Sequence, residues 1–322
     1  MSVLRTARID KRAKCQLLII NLCNPLSMGG AAIAVVLVKL LKSNIPSITL
    51  TLMPSRWRDR DIYINRYQME DVGFVPHVWY KEKFSTAATL MYSVFPALIA
   101  FLSCAVSNVL RKFNIFFKNP YDKYDIIIDL NSDALNEHYG IVFPLFTLFN
   151  LALASLSGKP VIVCPCTIGN FKKPFMKFIV KFVLNKMSVI MVREEIGRKN
   201  LKLLGVSKPK IALAADLAFL FEPKQIEETL AGIELRDIKK PVVGIAPSQE
   251  ISRYAFAQDR EGLNEKYRKY IRLMAEITDF VIERINASVI LFPHSLSEKD
   301  TARHQRLDDR IACRQIYRSV RN

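Results

Sequence analysis

Carboxylate and amide side chains cluster around the end of an apolar segment. Residues 125–130 are apolar apart from their aspartates, and Asp129, Asn131 and Asp133 alternate across the end of this run. Side chains at the mouth of a buried strand can hold sugar hydroxyls, and a carboxylate there can act as a general base. The alternative is a polar turn that caps the next helix. Because Asp129 lies in an apolar run and needs a polar partner, we predict catalytic roles for Asp129 and Asp133 and substrate binding by Asn131.

A second candidate site combines an arginine with an aspartate. Arg193 directly follows the apolar run Val189–Val192, and Asp216 follows residues 210–214. A guanidinium can hold a carboxylate or a phosphate through two parallel hydrogen bonds. We therefore predict a catalytic, anion-binding role for Arg193, with Asp216 orienting the arginine or binding substrate. The alternative is a salt bridge from Arg193 to Asp216 or Glu194 that only fixes the edge of the sheet.

Two glycine-containing loops are candidate binding loops. Asn24, Gly29 and Gly30 lie between a first apolar run and an apolar segment, residues 31–41, that predicts a helix. Glycine allows backbone N–H groups to approach a ligand and tolerates a positive φ. We predict that these three residues bind substrate, the alternative being a purely structural strand-to-helix turn.

The second such loop follows residues 160–164, which predict a strand. It contains Thr167, Gly169 and Lys172. We predict that its hydroxyl and backbone amides face a cleft and that Lys172 meets a phosphate. A plain loop between a strand and a helix is the alternative.

Near the C-terminus two more polar residues follow apolar runs. Ser248 comes after residues 241–247, and His294 comes at the end of residues 287–293. The pKa of imidazole lies near neutrality, so His294 can bind phosphate or transfer a proton. We predict that Ser248 binds substrate and that His294 is catalytic, although a loop histidine without a role is the alternative.

Composition limits the class of protein. The chain has 322 residues, of which 50% are hydrophobic and 24% charged, which is typical of a globular protein of one large or two medium domains. Its net charge of +17 favours an anionic partner: nucleic acid, an anionic membrane surface or a phosphorylated substrate. The positive charge is dispersed and no nucleic-acid-binding motif is present, so we predict no nucleic-acid partner. Six cysteines lack the spacing of a zinc site, which predicts free thiols, a cytoplasmic protein and no metal.

The order of the elements predicts an α/β fold. A strand, a loop and a helix open the chain, and strand and helix patterns then alternate. We predict a first Rossmann-like domain at residues 1–223, a polar linker at 224–240, and a second Rossmann-like domain at 241–322. The second domain is expected to be partial, because only two strands are visible in it.

Residues 87–110 contain no charged side chain and are flanked by lysines and arginines. The length would allow a membrane span, but Pro96 and several polar residues interrupt the segment. We predict a buried or membrane-docking pair of helices, with the basic flanks facing anionic lipid, and hence a protein that is cytoplasmic and peripheral to the membrane.

Four motifs, taken in order, resemble the polysaccharide pyruvyl transferase family. They are Asp-Leu-Asn-Ser-Asp at 129–133, Thr-Ile-Gly-Asn-Phe at 167–171, Val-Arg-Glu at 192–194 and Ala-Asp-Leu-Ala-Phe at 215–219. The resemblance implies two Rossmann-like domains in a GT-B-like arrangement. It also implies transfer of pyruvate from phosphoenolpyruvate to a sugar hydroxyl pair, as a ketal, on a glycan or glycolipid precursor. Phosphoenolpyruvate would be the donor substrate, and no cofactor would be required.

The chain departs from the family pattern in three places. Ala31 and Ala32 stand where family members have an acidic residue after the glycines, Asn170 replaces a proline, and the usual Arg-x-His segment of the second domain is not found. Two alternatives therefore stay open. One is a nucleotide-sugar glycosyltransferase of GT-B type. The other is an inactive, truncated family member, including a membrane-docked protein without turnover.

Overall fold

The chain divides into two compact units. The first contains residues up to Pro25 and from Gly29 to Phe221, and the second contains Leu26–Met28 and Glu222–Asn322. This computed structural model describes residues 15–76, 121–138, 140–222, 238, 241–249, 251–256, 259, 261–296 and 308–321. The predicted helices at 87–110 lie outside the described residues, as does the predicted linker at 224–240 apart from residue 238.

A parallel sheet of seven strands forms the centre of the first unit. The order across the sheet is β3-β2-β1-β4-β5-β6-β7, so the direction of winding reverses between β1 and β4. The strands are β1 (Cys15–Leu22), β2 (Ile48–Pro54), β3 (Gly73–Phe74), β4 (Ile126–Asp129), β5 (Val161–Cys166), β6 (Val189–Val192) and β7 (Lys210–Leu213). This topology confirms the predicted α/β class with a Rossmann-like parallel sheet.

Helices cover the sheet of the first unit. They are α1 (Met28–Asn44), α2 (Asp59–Tyr67), α3 (Val142–Leu156), α4 (Pro174–Leu184) and α5 (Glu195–Leu203). Pro174 occupies the first turn of α4, where its missing N–H costs nothing. Gly205 follows α5 with a φ of 72°, the left-handed conformation that commonly ends a helix. Helix α1 begins at Met28 rather than at the predicted residue 31, so both loop glycines lie inside its first turn.

Both faces of this sheet are buried, as expected for a parallel sheet. Along β1, Leu18 and Ile20 pack in one apolar cluster with residues of α3 and α4. The alternate residues Leu17 and Ile19 pack in another cluster with residues of α1. The strand period of two thus sends successive side chains to opposite faces, which explains why β1 reads as a continuous apolar run.

The second unit contains a parallel pair of strands. They are β8 (Val242–Ile245) and β9 (Ser288–Leu291), and the helices are α6 (Ser252–Ala255), α7 (Leu263–Ile285) and α8 (Asp309–Ser319). Buried residues of α7 and α8 form its core: Tyr270, Ile271, Ala275, Ala312 and Ile316. Of the helices in the described part of the chain, none has both the length and the apolar composition that crossing a bilayer requires.

Candidate active site

The candidate site of the first unit lies at the carboxyl edge of its sheet. In an open α/β sheet, ligands bind outside the carboxyl ends of the strands, where the winding direction reverses. That point lies between β1 and β4, which pair in parallel with Ile20 opposite Asp129. The loops after β5, β6 and β7 open on the same edge, so the predicted polar residues that follow the strands of this sheet share one edge.

A buried network of polar side chains joins β1 to β4. The amide of Asn21 donates to one oxygen of Asp129 at 2.6 Å, and the amide of Asn131 donates to the other oxygen. Asn150, on α3, donates to the side-chain oxygen of Asn21 at 2.7 Å. Asp129 is fully buried, and its polar partners are amides. Burial raises the pKa of Asp129 to about 7, although the two amide donors act in the opposite direction.

Two backbone features shape this network. Asn21 has a φ of 54° and Ser132 a φ of 57°, both in the left-handed region. Asparagine tolerates this conformation better than most residues, which explains an asparagine near the end of an apolar strand. Within the described residues, the side-chain oxygen of Asn131 is buried and has no hydrogen-bond partner. This acceptor of Asn131 is thus enclosed by protein at the switch point.

Asp133 lies in the turn that follows β4 and is half-buried. The charge of Asp133 acts on Cys23 in the loop after β1. Burial of the Cys23 thiol, followed in size by the negative charge of Asp133, raises the pKa of Cys23 to about 12. Asp133 is therefore the carboxylate in this turn that is accessible, whereas Asp129 is enclosed. Cys23 belongs with Cys15, Cys164, Cys166 and Cys313 to the free cysteines of the described chain.

Arg193 is the centre of a second polar cluster, made by the loops after β5, β6 and β7. Its Nε atom donates to Thr167 Oγ1 at 2.7 Å and to Glu194 Oε1 at 3.0 Å. Its Nη1 atom donates to Asp216 Oδ2 at 2.5 Å. Thr167 in turn donates its hydroxyl to Glu194 at 2.9 Å. The salt bridges predicted as the structural alternative are thus present, and they fix the guanidinium in one orientation.

The electrostatics of Arg193 keep it charged. Burial acts to lower the pKa of Arg193, but the contacts with Asp216 and Glu194 raise it above its usual value. The side chain keeps 22% of its surface exposed. Among the described residues its Nη2 atom makes no hydrogen bond, so the outer edge of the guanidinium is available to an anion. Asp216 is itself held, because its other oxygen accepts from the backbone of Ala218 at 2.9 Å.

The loop after β5 differs from the prediction in its backbone. The amide of Thr167 donates to Ser132 at 2.8 Å, and the amide of Gly169 donates to Leu135 at 2.8 Å. These two amides therefore do not face a ligand, and that part of the prediction is wrong. A Cβ on Gly169 would lie 2.5 Å from Cβ of Asn136, so this glycine allows close packing of two loops. Lys172 is exposed at the end of the loop.

The loop after β1 is held by tyrosines. Tyr63 and Tyr67 of α2 donate their hydroxyls to the carbonyls of Cys23 and Pro25, both at 2.8 Å. Asn24 lies in this loop, and its exposed side chain accepts a hydrogen bond from Arg56 at 3.2 Å.

The two glycines of this segment serve the helix rather than a turn. A Cβ on Gly30 would lie 2.5 Å from Cβ of Cys23, whereas a Cβ on Gly29 would have no neighbour within 4 Å. Neither glycine has a positive φ. The expectation of a glycine turn was wrong because the unusual backbone angle falls at Asn21 instead. Substrate binding by the two glycines stays a prediction.

In the second unit, Ser248 and His294 follow β8 and β9, which are adjacent. Asp309, at the start of α8, ties these two loops together. Its carboxylate accepts from the backbone of Gln249 at 2.8 Å and from the backbone of Ser295 at 2.8 Å. His294 is exposed, and the backbone of Ser248 donates to the hydroxyl of Tyr270 at 3.0 Å.

Sequence reasoning missed four residues of these networks. Asn21 carried a usable signal, since it is a polar residue in an apolar strand, as Asp129 is. Glu194 belongs to the Val-Arg-Glu motif but was considered only as a salt-bridge partner. Asn150 and Asp309 lie on helices and carry no local signal. The described residues contain no group of three His, Cys, Asp or Glu side chains that would hold a metal ion.

A model of the family described as polysaccharide pyruvyl transferase matches residues 28–321. The chain belongs to this family. The matched residues span both units and include Thr167, Arg193 and Asp216, which contact one another in the structure. A curated relative is the amylovoran biosynthesis protein AmsJ of Erwinia amylovora. It is 27% identical over 127 residues, which are 39% of this chain and 29% of the relative. The match to this relative thus spans less than a third of the relative's length.

Solved structures that resemble this pyruvyl transferase family member are distant. A Listeria monocytogenes protein described as a UDP-N-acetylglucosamine 2-epimerase is 11% identical, with a TM-score of 0.46, covering 92% of this chain and 65% of that chain. The UDP-GlcNAc 2-epimerase of Neisseria meningitidis is 12% identical, with a TM-score of 0.42, covering 87% of this chain and 66% of that chain.

Proposed function

We propose that this protein transfers pyruvate from phosphoenolpyruvate to a pair of hydroxyl groups on a sugar of a glycan precursor. The observation that carries the proposal is the guanidinium of Arg193. It is fixed on one side by Thr167, Glu194 and Asp216, and its outer edge stays available. Membership of the pyruvyl transferase family supplies the reaction class.

The fixed guanidinium suits a donor that carries both a carboxylate and a phosphate. Two parallel N–H groups can hold either anion, and a side chain already held in place loses little entropy on binding. Glu194 and Asp216 place two negative charges beside Arg193, so the arginine alone does not make the site positive. Lys172 and Lys173 are exposed in the loop before α4 and offer the additional positive charge that a multiply charged donor needs.

The proposed reaction forms a ketal at C2 of the donor. C3 takes up a proton, the bond from C2 to the phosphate oxygen breaks, and two new bonds join C2 to the sugar oxygens. The two hydroxyl groups release two protons, of which one balances the proton gained by C3 and the other leaves with the phosphate. Arg193 stabilises negative charge on the donor during this exchange.

On the acceptor side we assign direct contact to the accessible residues Asn24 and Asp133, with Asp133 as the base. We assign Asp129 a positioning role, because it is fully buried and holds Asn21 and Asn131. Donor binding by Ser248 and proton delivery to C3 by His294 stay predictions from the sequence.

Calorimetric titration of phosphoenolpyruvate tests the proposal on the intact chain. We expect Arg193→Ala to weaken binding by about ten-fold or more, because a charged hydrogen-bonding pair is lost. Arg193→Lys is expected not to restore binding, since an ammonium group cannot reach Thr167, Asp216 and an anion together. Arg198→Ala is the matched control, because Arg198 is exposed and, within the described part of the chain, forms its ion pair with Glu195.

Two results would overturn the proposal. One is unchanged affinity for phosphoenolpyruvate in Arg193→Ala. The other is binding of a nucleotide sugar by the wild type with no binding of phosphoenolpyruvate, which would favour the glycosyltransferase alternative. A thermal melt of each variant separates loss of the site from loss of the fold.

A further inference from the structure

The outer face of α4 carries three exposed phenylalanines. Phe175, Phe178 and Phe182 keep 47%, 70% and 56% of their surfaces exposed. Their spacing places them on one side of the helix. The rings of Phe178 and Phe182 stack with centroids 6.4 Å apart. Single exposed apolar residues are ordinary on a protein surface, but an aligned row of three aromatic rings indicates a contact surface.

This apolar row is surrounded by positive charge. Lys173, Lys177, Lys181 and Lys186 are exposed along the same segment, and Lys186 lies 4.7 Å from the ring centroid of Phe182. The sequence contains no Asp or Glu between Glu137 and Glu194. Helices α3 and α4, which contact one another, therefore present no acidic side chain. The opposite face of α4 is buried against the sheet by Met176, Val180, Val183 and Leu184, so the helix is firmly held.

We propose that this face of α4 docks on the anionic surface of a lipid bilayer. A basic helix with aromatic side chains on its free face binds in the interfacial plane, where the rings enter the acyl boundary and the lysines meet the headgroups. Pairing of two copies through this face would bring lysines against lysines without an acidic partner on α4, which like-charge repulsion disfavours. Anionic headgroups neutralise those lysines instead.

The location of α4 next to the candidate active site would bring that site close to the bilayer on docking. The helix begins directly after the loop of Thr167 and Lys172, so its first turn adjoins the candidate active site. Docking would hold that edge of the sheet near the bilayer, where a lipid-linked sugar would be found. The inference does not depend on the donor proposed above, because the test measures binding to vesicles and not pyruvate transfer.

Flotation with vesicles tests the docking on the full chain. Vesicles of phosphatidylcholine alone are compared with vesicles that contain about 30% phosphatidylglycerol. We expect binding to the anionic vesicles only, and a loss on raising the salt from about 0.1 M to about 1 M. The double variant Phe178→Gln, Phe182→Gln is expected to reduce binding by about ten-fold or more. Phe219→Gln is the matched control, because Phe219 is 85% exposed in the same unit.

A fluorescence measurement identifies the part of the chain that enters the lipid. We expect the tryptophan of Phe182→Trp to shift its emission to the blue with anionic vesicles, and that of Phe219→Trp to stay unchanged. Absence of wild-type binding would overturn the proposal. So would full binding by the double variant, which would assign binding to another segment. A change of oligomeric state in the double variant would instead assign this face to a second copy of the chain.

Discussion

The side chain of Asn21 donates a hydrogen bond of 2.6 Å to Asp129 and thereby joins two strands that lie far apart in the sequence. Both residues are buried where the winding of the sheet reverses. The amides of Asn21 and Asn131 occupy the two oxygens of Asp129, so the carboxyl group organises the loops around it.

Asp129→Asn is expected to remove a dependence of stability on pH. The pKa of Asp129 is about 7 in the folded protein against 3.8 in its ordinary state. As the pH rises, the unfolded chain therefore loses this proton before the folded protein does. The resulting stabilisation of the fold is complete below pH 3.8 and is lost as the pH rises through about 7. We expect the wild-type free energy of unfolding to fall by up to about 1.4 kcal/mol per pH unit in this window, relative to the variant. Urea unfolding across the window measures it, and parallel curves would contradict it.

Substitutions of Asn21 separate the backbone from the amide network. Asn21→Gly loses the bonds to Asp129 and Asn150, and we expect a cost of about 1–3 kcal/mol. Asn21→Ala is expected to cost about 1–2 kcal/mol more, because alanine is disfavoured at a φ of 54°. Gln68 is exposed and has a φ of 55°, which makes it the matched control. Gln68→Gly is expected to be neutral or stabilising; an equal loss at both positions would rule out a contribution from the network.

Gly169 and Gly29 are expected to respond in opposite ways to alanine. A Cβ at position 169 meets both Cα and Cβ of Asn136 at under 3 Å, and we expect Gly169→Ala to cost about 1–3 kcal/mol. Gly29 lies in the first turn of α1 with open space around it, so Gly29→Ala is expected to be neutral or to stabilise by up to about 1 kcal/mol. Thermal unfolding of the two variants tests this contrast. Unchanged phosphoenolpyruvate affinity in Gly29→Ala would also remove Gly29 from the predicted binding residues.

Asp309→Asn is expected to loosen the loops of the second unit. The two oxygens of the carboxylate accept from two backbone amides. The side chain of asparagine has only one oxygen, so the second backbone amide would face the NH2 group of the asparagine, which is itself a donor. We expect a cost of about 1–3 kcal/mol and faster hydrogen exchange at the amides of Gln249 and Ser295. Glu276→Gln, at an exposed position of α7, is the control. Unchanged exchange at both amides would show that Asp309 does not hold these loops.

The sequence predicted the parts of the fold that depend on local pattern. Apolar runs such as Val189–Val192 became strands, because only local pattern is involved. The position of Arg193 after a strand also followed from the local pattern.

The remaining contacts depend on pairing over long distances. The bond between Asn21 and Asp129 spans 108 positions, and no local pattern specifies which polar residue meets which. The start of α1 was placed too late because the glycines suggested a turn, whereas the turn is made by the left-handed backbone of Asn21. Asp309 was missed because its partners, the backbone amides of Gln249 and Ser295, lie 60 and 14 positions away.

The strand order also dictates a sequence of events during synthesis. β1 lies between β2 and β4 in the centre of the sheet, yet the part of β4 that pairs with it is made more than a hundred residues later. A growing chain can pair β1 with β2 early, but the other side of β1 stays open until β4 has left the ribosome. During that interval an apolar strand edge is exposed to other chains. We therefore expect the nascent protein to need chaperone protection in the middle of its translation.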